Sequence, residues 1–314
     1  MVAADCGRSV LGCHPVSELI DLVSLQLMDV PKITSFLDEV PLLRTLLMGF
    51  LTRDVGSGGA LLSEGAVFGT PATGPLDAIV YRSRAGLSIP VLRAPHLEPE
   101  SAAMMWAALS PTGPLVVLGA EGHIAPLIAA ARPTHEVAFD LVQHVMERDG
   151  VPVTAMGAGA SPLQLRLAAP ADLKDVVSLV ADHQREEVGL DLDRSLSGGL
   201  ARRLRDRIDR RWCVLGFLAG QPVVHVAASV CSREGAQLEG IYTVPIVRGQ
   251  GYAAQALARL GDELAGQGAQ RVSLVVSTGN EAASRLYTRL GLTIRGCVRF
   301  VRLVPRGASP VDTR

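Results

Sequence analysis

A glycine-rich turn between a strand and a helix is the segment of this sequence whose chemistry is easiest to interpret. In the run LEGIYTVPIVRGQGYA, a strand pattern ends at Pro245, and Arg248–Ala253 leads directly into a helical pattern. Glycines at Gly249 and Gly251 let backbone N–H groups converge, and the start of a helix adds unpaired N–H groups and a positive dipole end. With the positive charge of Arg248, this turn predicts a site for a pyrophosphate group.

A second motif follows in the same half of the chain. The letters NEAASRLY occupy Asn280–Tyr287, and Leu290-Gly291-Leu292 comes shortly after. The glycine-rich turn at Arg248–Ala253 is not a P-loop, because no Gly-Lys-Ser/Thr follows it, and it lacks the glycine spacing of the Rossmann dinucleotide fingerprint. The two motifs therefore have to be explained together.

Together the two motifs resemble those of the GNAT superfamily of acyl-coenzyme-A-dependent N-acyltransferases. Arg248, Gly251 and Ala253 match the family pattern Arg/Gln-x-x-Gly-x-Gly/Ala, and Asn280–Tyr287 matches the second family motif at a suitable distance. The resemblance extends from about Leu165 to Cys297. It implies an α/β fold with a mixed sheet whose central parallel strands splay apart, and acetyl-coenzyme A or another acyl-coenzyme A as cosubstrate.

The same resemblance assigns residues to the cosubstrate. The pantetheine arm is expected in the gap between the splayed strands, where it bonds to free backbone groups as an added strand would. Ile241 and Thr243 would supply these groups, together with the side-chain amide of Asn280. The pyrophosphate is expected at the turn, formed by Arg248, Gly249, Gln250, Gly251, Tyr252 and Ala253.

Acyl transfer to an amine needs a neutral nucleophile and a protonated leaving group. The thioester is expected between Glu239 and Tyr287, with Tyr287 as the general acid; the alternative is an ordinary packed tyrosine of a helix. Glu239 is a candidate base, directly or through a water, unless it is simply an exposed carboxylate of a strand. His225 is the rival base, although a lone histidine in the apolar run VVHVAA is more often a core residue.

The expected reaction is direct attack by a primary amine in a ternary complex, because no cysteine lies within the motifs to act as a nucleophile. The resemblance to glycine N-acyltransferase-like proteins implies a small amino acid or amine metabolite as acceptor, and a peptide or protein amine is the alternative. Residues 182–193 are expected in the loop between the first two helices of the C-terminal half, where Glu186 and Glu187 could attract a cationic amine, or they are a solvated helix end. Two other hypotheses are a non-catalytic acyl-coenzyme A sensor and an N-terminal module that presents a partner to the transferase.

A regular alternation of strands and helices is predicted to position these residues. Asp172 is expected to cap the first helix of the C-terminal half. The predicted order is a strand at 165–167, the helix after Asp172, a basic helix at 200–211, a hairpin at 213–230, a strand at 237–244, a helix at 251–266, a strand at 272–277, a helix at 281–290 and a strand at 293–303. Acidic partners four residues away from its arginines indicate that the basic helix is a solvated face rather than a nucleic-acid site.

The N-terminal half contains neither motif. Its pattern predicts helical structure over 15–50, a loop at 52–59, short strands between 66 and 118, and an amphipathic helix over 136–146. The turn Ala120–His123 follows a strand but offers neither the arginine nor the second glycine. We predict a smaller α/β domain at 1–155 that resembles a degenerate GNAT-like half, a linker at 156–163, the catalytic domain at 164–305 and a tail at 306–314.

Composition limits the remaining classes of function. Of 314 residues, 48% are hydrophobic and 19% charged, which suits a folded protein of two domains. Residues 1–155 carry 9 Lys and Arg and 16 Asp and Glu, a charge of −7, and the remainder carries +6, so the second half could attract a polyanion. The five cysteines, Cys6 and Cys13 included, lack metal-ligand spacing. A cytoplasmic protein without metal, nucleic-acid or membrane sites is predicted, and its oligomeric state is left open.

Overall fold

The computed structural model describes residues 23–24, 29–53, 65–70, 74–83, 86–109, 113–151, 161–189 and 198–307. Several features predicted from the sequence lie wholly or mostly outside these residues. They are Cys6 and Cys13, the start of the first predicted helix, most of the loop at 52–59, most of the linker at 156–163 and most of the tail at 306–314.

Within the described residues the chain forms twelve strands and eight α-helices. The strands are β1 (Val23–Ser24), β2 (Gly65–Thr70), β3 (Ala78–Ser83), β4 (Leu87–Leu92), β5 (Leu115–Gly119), β6 (His135–Asp149), β7 (Gln164–Leu167), β8 (Cys213–Leu218), β9 (Gln221–Cys231), β10 (Ala236–Thr243), β11 (Arg271–Ser277) and β12 (Thr293–Pro305). The helices are α1 (Val30–Glu39), α2 (Arg44–Arg53), α3 (Pro99–Leu109), α4 (Glu121–Ala131), α5 (Leu173–Val188), α6 (Gly199–Asp209), α7 (Tyr252–Gly266) and α8 (Glu281–Arg289). The order of elements predicted for the C-terminal half is confirmed.

All of these strands belong to one mixed sheet, in the order β1-β2-β3-β4-β5-β12-β6-β11-β10-β9-β8-β7. Two neighbouring pairs are parallel, β4 with β5 and β10 with β11. The other neighbours are antiparallel. The α/β fold with a mixed sheet that the sequence predicted is therefore confirmed.

The two halves of the chain exchange strands at the centre of this sheet. β6 belongs to the N-terminal half but lies between β11 and β12, while β12 lies between β6 and β5. Each half therefore repeats one succession: an antiparallel pair, a parallel pair, and then a strand from the other half. The predicted division into two domains stays a prediction, because one continuous sheet contains both halves.

The amphipathic helix predicted over 136–146 is wrong, because this segment lies inside the strand β6. Val137, Leu141, Val142 and Val145 do fall at helical spacing, but β-branched residues and a nearby aromatic, Phe139, suit a strand equally well. Pairing decides between the two, since β6 bonds to β11 along one edge and to β12 along the other. Both partners come from the far end of the chain, where a local pattern cannot indicate them.

Helices cover both faces of the sheet. Along β8, Val214 packs with the core around α7, whereas its neighbours Cys213 and Leu215 pack with α5 and α6 on the opposite face. This alternation follows from the two-residue period of a strand. In the N-terminal half, α1 and α2 cover one face and α3 and α4 the other. Among the helices of the described residues, none combines the length and the apolar character needed to cross a membrane.

Asp172 does not cap α5 with its side chain, contrary to the prediction. Its carboxylate instead accepts the N–H of Ala169 at 2.7 Å and two hydrogen bonds from Arg166, at 2.5 and 2.7 Å. The hydrogen bonds from Arg166 lower the pKa of Asp172, and they outweigh the opposing effect of burial. Asp172 therefore stabilises the turn between β7 and α5 rather than the first turn of the helix.

Candidate functional site

A cleft opens where β10 and β11 separate. The pairing of these parallel strands ends at Leu238 and Leu274, although β10 continues to Thr243 and β11 to Ser277. The cleft has a volume of about 720 Å³ and is lined by residues of α5, the end of β10, the first turn of α7, and α8 along its length. The splayed parallel strands expected from the sequence are therefore present.

A β-bulge changes the direction of β10 beside this cleft. The register with β9 shifts between Glu239 and Tyr242, and Gly240 has a φ of 61°, in the left-handed region that favours glycine. His225 of β9 supports the bulge, because its Nδ1–H donates to the carbonyl oxygen of Gly240 at 2.6 Å. After the bulge, Ile241 lies in the wall of the cleft.

The glycine-rich turn forms another part of the cleft wall. α7 begins at Tyr252, and the N–H of Gln255 donates to the carbonyl of Gly251 at 3.2 Å. The N–H groups that precede Gln255 have no acceptor within the helix and lie at the positive end of its dipole. Gly249 and Gly251 have φ values of 81° and 75°, and a β-carbon on either would meet no described atom within 4 Å apart from the chain neighbours. The turn is open and suited to a phosphate.

Arg248 lines the cleft, but its donors are directed at protein groups. Its Nε donates to the carbonyl of Thr243 at 2.8 Å, and its Nη2 donates to Oε2 of Glu186 at 2.5 Å. Oε1 of Glu186 accepts the hydroxyl of Tyr242 at 2.8 Å. Burial opposes the ionisation of Glu186, but the hydrogen bonds from Arg248 and Tyr242 outweigh it and lower its pKa. Burial and the bond to Glu186 raise the pKa of Tyr242 to about 12.

α8 presents Asn280 and Tyr287 to the cleft. Asn280 caps this helix, because its Oδ1 accepts the N–H of Ala283 at 3.1 Å, so its amide nitrogen is the group left to donate to a ligand. Tyr287 is 5% exposed, and burial together with the negative charge of Glu187 raises the pKa of its hydroxyl. Tyr287 therefore keeps its proton at neutral pH.

The two candidate bases named from the sequence do not line the cleft. Glu239 forms an ion pair with Arg207 of α6, in which Oε1 and Nη1 are 2.5 Å apart. The basic helix was interpreted as a solvated face, yet the Arg207 side chain is only 17% exposed. His225 is buried beneath the bulge, and this burial lowers its pKa to about 4.

The C-terminal end of α5 supplies a wall that the sequence indicated only in part. Glu186 and Glu187 were expected in a loop, but they lie in the last turn of α5 and line the cleft; residues 190–193 of that predicted loop are outside the described residues. His183, which the sequence analysis missed, also lines the cleft, with its Nε2 3.4 Å from Oε2 of Glu187. The available signal was the spacing of four residues between His183 and Glu187, which places them on one face of a helix.

Most of the predicted site residues meet in this cleft. Those that line it are Ile241, Thr243, Arg248, Gly249, Gly251, Tyr252, Ala253, Asn280 and Tyr287. Gln250, in the middle of the turn, does not line it. Arg285 and Arg289 of α8 do, and they add positive charge that the sequence analysis did not consider. The motifs, although separated in sequence, therefore share one concave surface.

In the N-terminal half, the segment that follows the corresponding pair of parallel strands lies against the start of α4. The pairing of β4 with β5 ends at Ser88 and Val117, as that of β10 with β11 ends early. The segment that leaves β4 then packs against the start of α4, where the N–H of Leu97 donates to the carbonyl of Gly122 at 3.0 Å. A β-carbon at Gly122 would lie 2.2 Å from the carbonyl oxygen of Pro95. This half repeats the strand arrangement but has no open glycine turn between β4 and α3.

Comparison with known proteins agrees with this geometry. Residues 180–292 match the model of the acetyltransferase (GNAT) family, a range that runs from α5 through the glycine-rich turn to the end of the second motif. No curated protein matches the sequence.

Several solved structures share the fold over nearly the whole chain. A Drosophila protein is 14% identical, with a TM-score of 0.65, and the match covers 91% of this chain and 99% of that protein. A GCN5-related N-acetyltransferase from Sphaerobacter thermophilus is 15% identical, with a TM-score of 0.53 and coverage of 94% and 99%. An acetyltransferase of the GNAT family from Colwellia psychrerythraea is 15% identical, with a TM-score of 0.51 and coverage of 91% and 100%. At these identities the likeness is one of fold.

Proposed function

Because residues 180–292 form an acetyltransferase domain of the GNAT family, we propose that this protein transfers an acetyl or other short acyl group from acyl-coenzyme A to a primary amine. The observation that carries the proposal is the cleft between the separating ends of β10 and β11, with the open turn of α7 in its wall. A separated strand edge suits an extended amide chain such as pantetheine, and the turn suits a pyrophosphate.

In this proposal the donor is held mainly by backbone groups. Ile241 and Thr243 bond to the pantetheine arm, and Asn280 donates its side-chain amide to it. The pyrophosphate is bound by the turn residues Arg248, Gly249, Gln250, Gly251, Tyr252 and Ala253. The positive charge of the C-terminal half, +6 over residues 156–314, favours such a polyanionic donor over long range.

The proposed chemistry is direct transfer without a covalent enzyme intermediate. The amine nitrogen attacks the thioester carbonyl, a C–N bond forms, and the C–S bond breaks. Tyr287 gives its hydroxyl proton to the departing sulfur and is protonated again from solvent, while the proton lost by the amine passes to a base. Tyr287 is the candidate for this role because it lines the cleft and its hydroxyl is protonated at neutral pH.

Two carboxylates are candidates for the base, and their surroundings differ. Glu239, the residue named from the sequence, is paired with Arg207 and would have to act through a water. Glu187 lines the cleft together with His183, and this pair could take the amine proton and pass it to solvent. We favour the His183–Glu187 pair, because it lies in the same cleft as Tyr287, whereas Glu239 and His225 do not line it.

The proposed acceptor is a small amino acid or amine metabolite. Glu186, Glu187 and His183 form one wall of the cleft, and two carboxylates there favour a cation over an anion. A peptide amine carries the same ammonium group, so peptides are the second class of acceptor to test.

The proposal is tested by incubating the full-length protein with acetyl-coenzyme A and amino acids, polyamines, aminoglycosides or short peptides, and following thiol release. Release that depends on one amine class is expected. Tyr287→Phe should lower kcat by about 100-fold or more, a typical contribution of general acid catalysis, with little change in acetyl-coenzyme A affinity. Tyr81→Phe removes the same hydroxyl from a buried tyrosine of β3 and should leave kcat unchanged.

The same assay separates the two candidate bases. Glu187→Gln should lower kcat strongly and Glu239→Gln only slightly; the reverse result would return the role to Glu239. Full activity of Tyr287→Phe would show that the general acid is assigned wrongly. Tight acetyl-coenzyme A binding without release for any amine would instead favour an acyl-coenzyme A sensor.

A further inference from the structure

Arg248 joins the turn before α7 to the end of α5. Its Nε donates to the carbonyl of Thr243 at 2.8 Å and its Nη2 to Glu186 at 2.5 Å. The guanidinium carbon lies 5.5 Å from the centre of the Tyr242 ring, and the Tyr242 hydroxyl donates to the second oxygen of Glu186 at 2.8 Å. Arg248 therefore donates hydrogen bonds both to a carboxylate of the cleft wall and to a backbone carbonyl of β10.

Thr243 and Arg248 both have other roles in the proposed function. A backbone group of Thr243 is assigned to pantetheine, and Arg248 is one of the turn residues assigned to the pyrophosphate. A phosphate at this turn competes with the Glu186 carboxylate for the same guanidinium. The Arg248 and Glu186 side chains are 48% and 42% exposed, so their ion pair has the modest strength of a surface pair and can be broken.

We infer that Glu186 recognises the ammonium group of the acceptor, and that Arg248 occupies this carboxylate until the pyrophosphate of the donor draws the arginine away. This inference rests on the proposed function. Once Arg248 has turned to the phosphate, Glu186 lacks its cation and binds the ammonium group in place of the guanidinium. The neighbouring Glu187 and His183 then take the proton that the ammonium must lose before attack. Donor binding thus increases acceptor affinity, and the coupling is reciprocal.

Tyr242 keeps Glu186 in position during this exchange. Its side chain is 5% exposed, it follows the bulge of β10, and its ring centroid is 5.6 Å from that of His183. The hydroxyl of this fixed ring donates to Glu186 whether or not Arg248 is present. The carboxylate therefore exchanges one cation for another without losing its place in the wall.

The exchange is tested by the affinity of the full-length protein for acetyl-coenzyme A, measured by calorimetry without any amine. Glu186→Gln removes the competitor for Arg248, so the Kd should fall about three- to five-fold, which corresponds to the loss of a surface ion pair. Glu187→Gln is the matched control, since it removes the same charge from the next residue of α5, which pairs with His183 instead. Its Kd should stay within about two-fold of the wild type.

A double-mutant cycle separates competition for Arg248 from simple repulsion between Glu186 and the phosphates. In the Arg248→Gln background, Glu186→Gln should no longer tighten acetyl-coenzyme A binding. The inference would be overturned if Glu186→Gln lowered the Kd for acetyl-coenzyme A equally in both backgrounds, or if Glu187→Gln lowered it as much. An unchanged Kd for Glu186→Gln would also overturn it.

The role of Glu186 in binding the acceptor is tested by steady-state kinetics. With the amine found in the panel, Glu186→Gln should raise the KM for that amine about ten-fold and leave kcat within about two-fold, because a charge-assisted contact to the bound ammonium is lost. An unchanged KM for the amine would show that Glu186 does not bind the acceptor. The donor affinities do not depend on turnover, so a protein that binds acetyl-coenzyme A but acylates no amine would refute the proposed function alone.

Discussion

The buried His225 of β9 supports the bulge of β10 that lies beside the cleft. Its Nδ1–H holds the carbonyl of Gly240 in the bulge, and its Nε2 is buried without a hydrogen-bond partner among the described residues. Burial, with smaller contributions from Arg207 and His183, lowers its pKa to about 4, although the hydrogen bond to Gly240 and the charge of Glu239 act in the opposite direction. Folding therefore requires the neutral imidazole.

This requirement predicts a loss of stability in mild acid. Between the unfolded pKa, about 6.5, and the folded pKa near 4, the unfolded state binds more protons at His225, so the free energy of unfolding decreases as pH falls. From about pH 7.5 to about pH 5 the contribution of His225 is about 2 kcal/mol, and it levels off near pH 4. Urea unfolding of the wild type and His225→Asn across this range should show the difference between them shrinking by about that amount. Parallel curves would contradict the lowered pKa.

Helix α2 shows how an element of the N-terminal half is built into the C-terminal half. Its Gly49 lies against Val230 of β9, so closely that a β-carbon on Gly49 would be 2.3 Å from Cγ2 and 2.5 Å from Cβ of the valine. Glycine at this helix position is thus required by a close approach, although glycine weakens an isolated helix. The contact fixes the distance between the helix and the sheet beneath it.

Gly49→Ala should therefore destabilise the protein by about 1–3 kcal/mol, as overpacking of a core does, instead of stabilising it by the usual 0.5–1 kcal/mol for this change in a helix. The free energy of unfolding in urea measures the effect. Gly266→Ala, at the end of α7, is the control, because a β-carbon there would meet no described atom within 4 Å. Equal stability of the two variants would mean that Gly49 of α2 does not lie this close to Val230 of β9.

At the scale of the whole molecule, the exchange of β6 and β12 makes each half dependent on the other. β6 pairs with β11 from Arg271–Asp149 to Ser277–Gln143, so the strand that forms one side of the cleft is completed by the N-terminal half. Its structural contribution to the site is therefore the strand β6 and the covering helix α2.

Separated halves are accordingly expected not to fold. Residues 156–314 expressed alone would leave β11 and β12 without the strand between them, exposing two long unpaired edges. Circular dichroism and size-exclusion chromatography should show an aggregated or unfolded fragment, and coexpression with residues 1–155 should restore a folded complex. A 156–314 fragment that unfolds cooperatively and acylates amines would contradict this and support independent domains.

Because of the strand exchange, the N-terminal half cannot be deleted without removing a strand from the middle of the sheet. Deleting residues 1–155 would remove a partner-binding module, if there is one, but it removes β6 at the same time. Loss of activity after such a deletion would not distinguish the two causes. Substitutions on the exposed face of α3 avoid this problem, because they leave β6 in place.

What the sequence determined by itself is local. The turn from Arg248 to Ala253 depends on residues adjacent in the chain, so glycine positions and a helix start were enough to predict it. The order of strands and helices after residue 164 followed from periodicity for the same reason. The resemblance then supplied the splayed strands that bring the two motifs together.

The tertiary structure decided whatever depends on partners distant in sequence. β6 is a strand because β11 and β12 pair with it, although its own pattern also fits a helix. Arg207 pairs with Glu239 although its helix was predicted to be a solvated face, and Arg248, which was predicted to bind a phosphate, pairs with Glu186. A charge or an apolar stripe in a sequence indicates which kinds of group a residue can bind. Its actual partner is decided by the groups that folding places within a few ångströms of it.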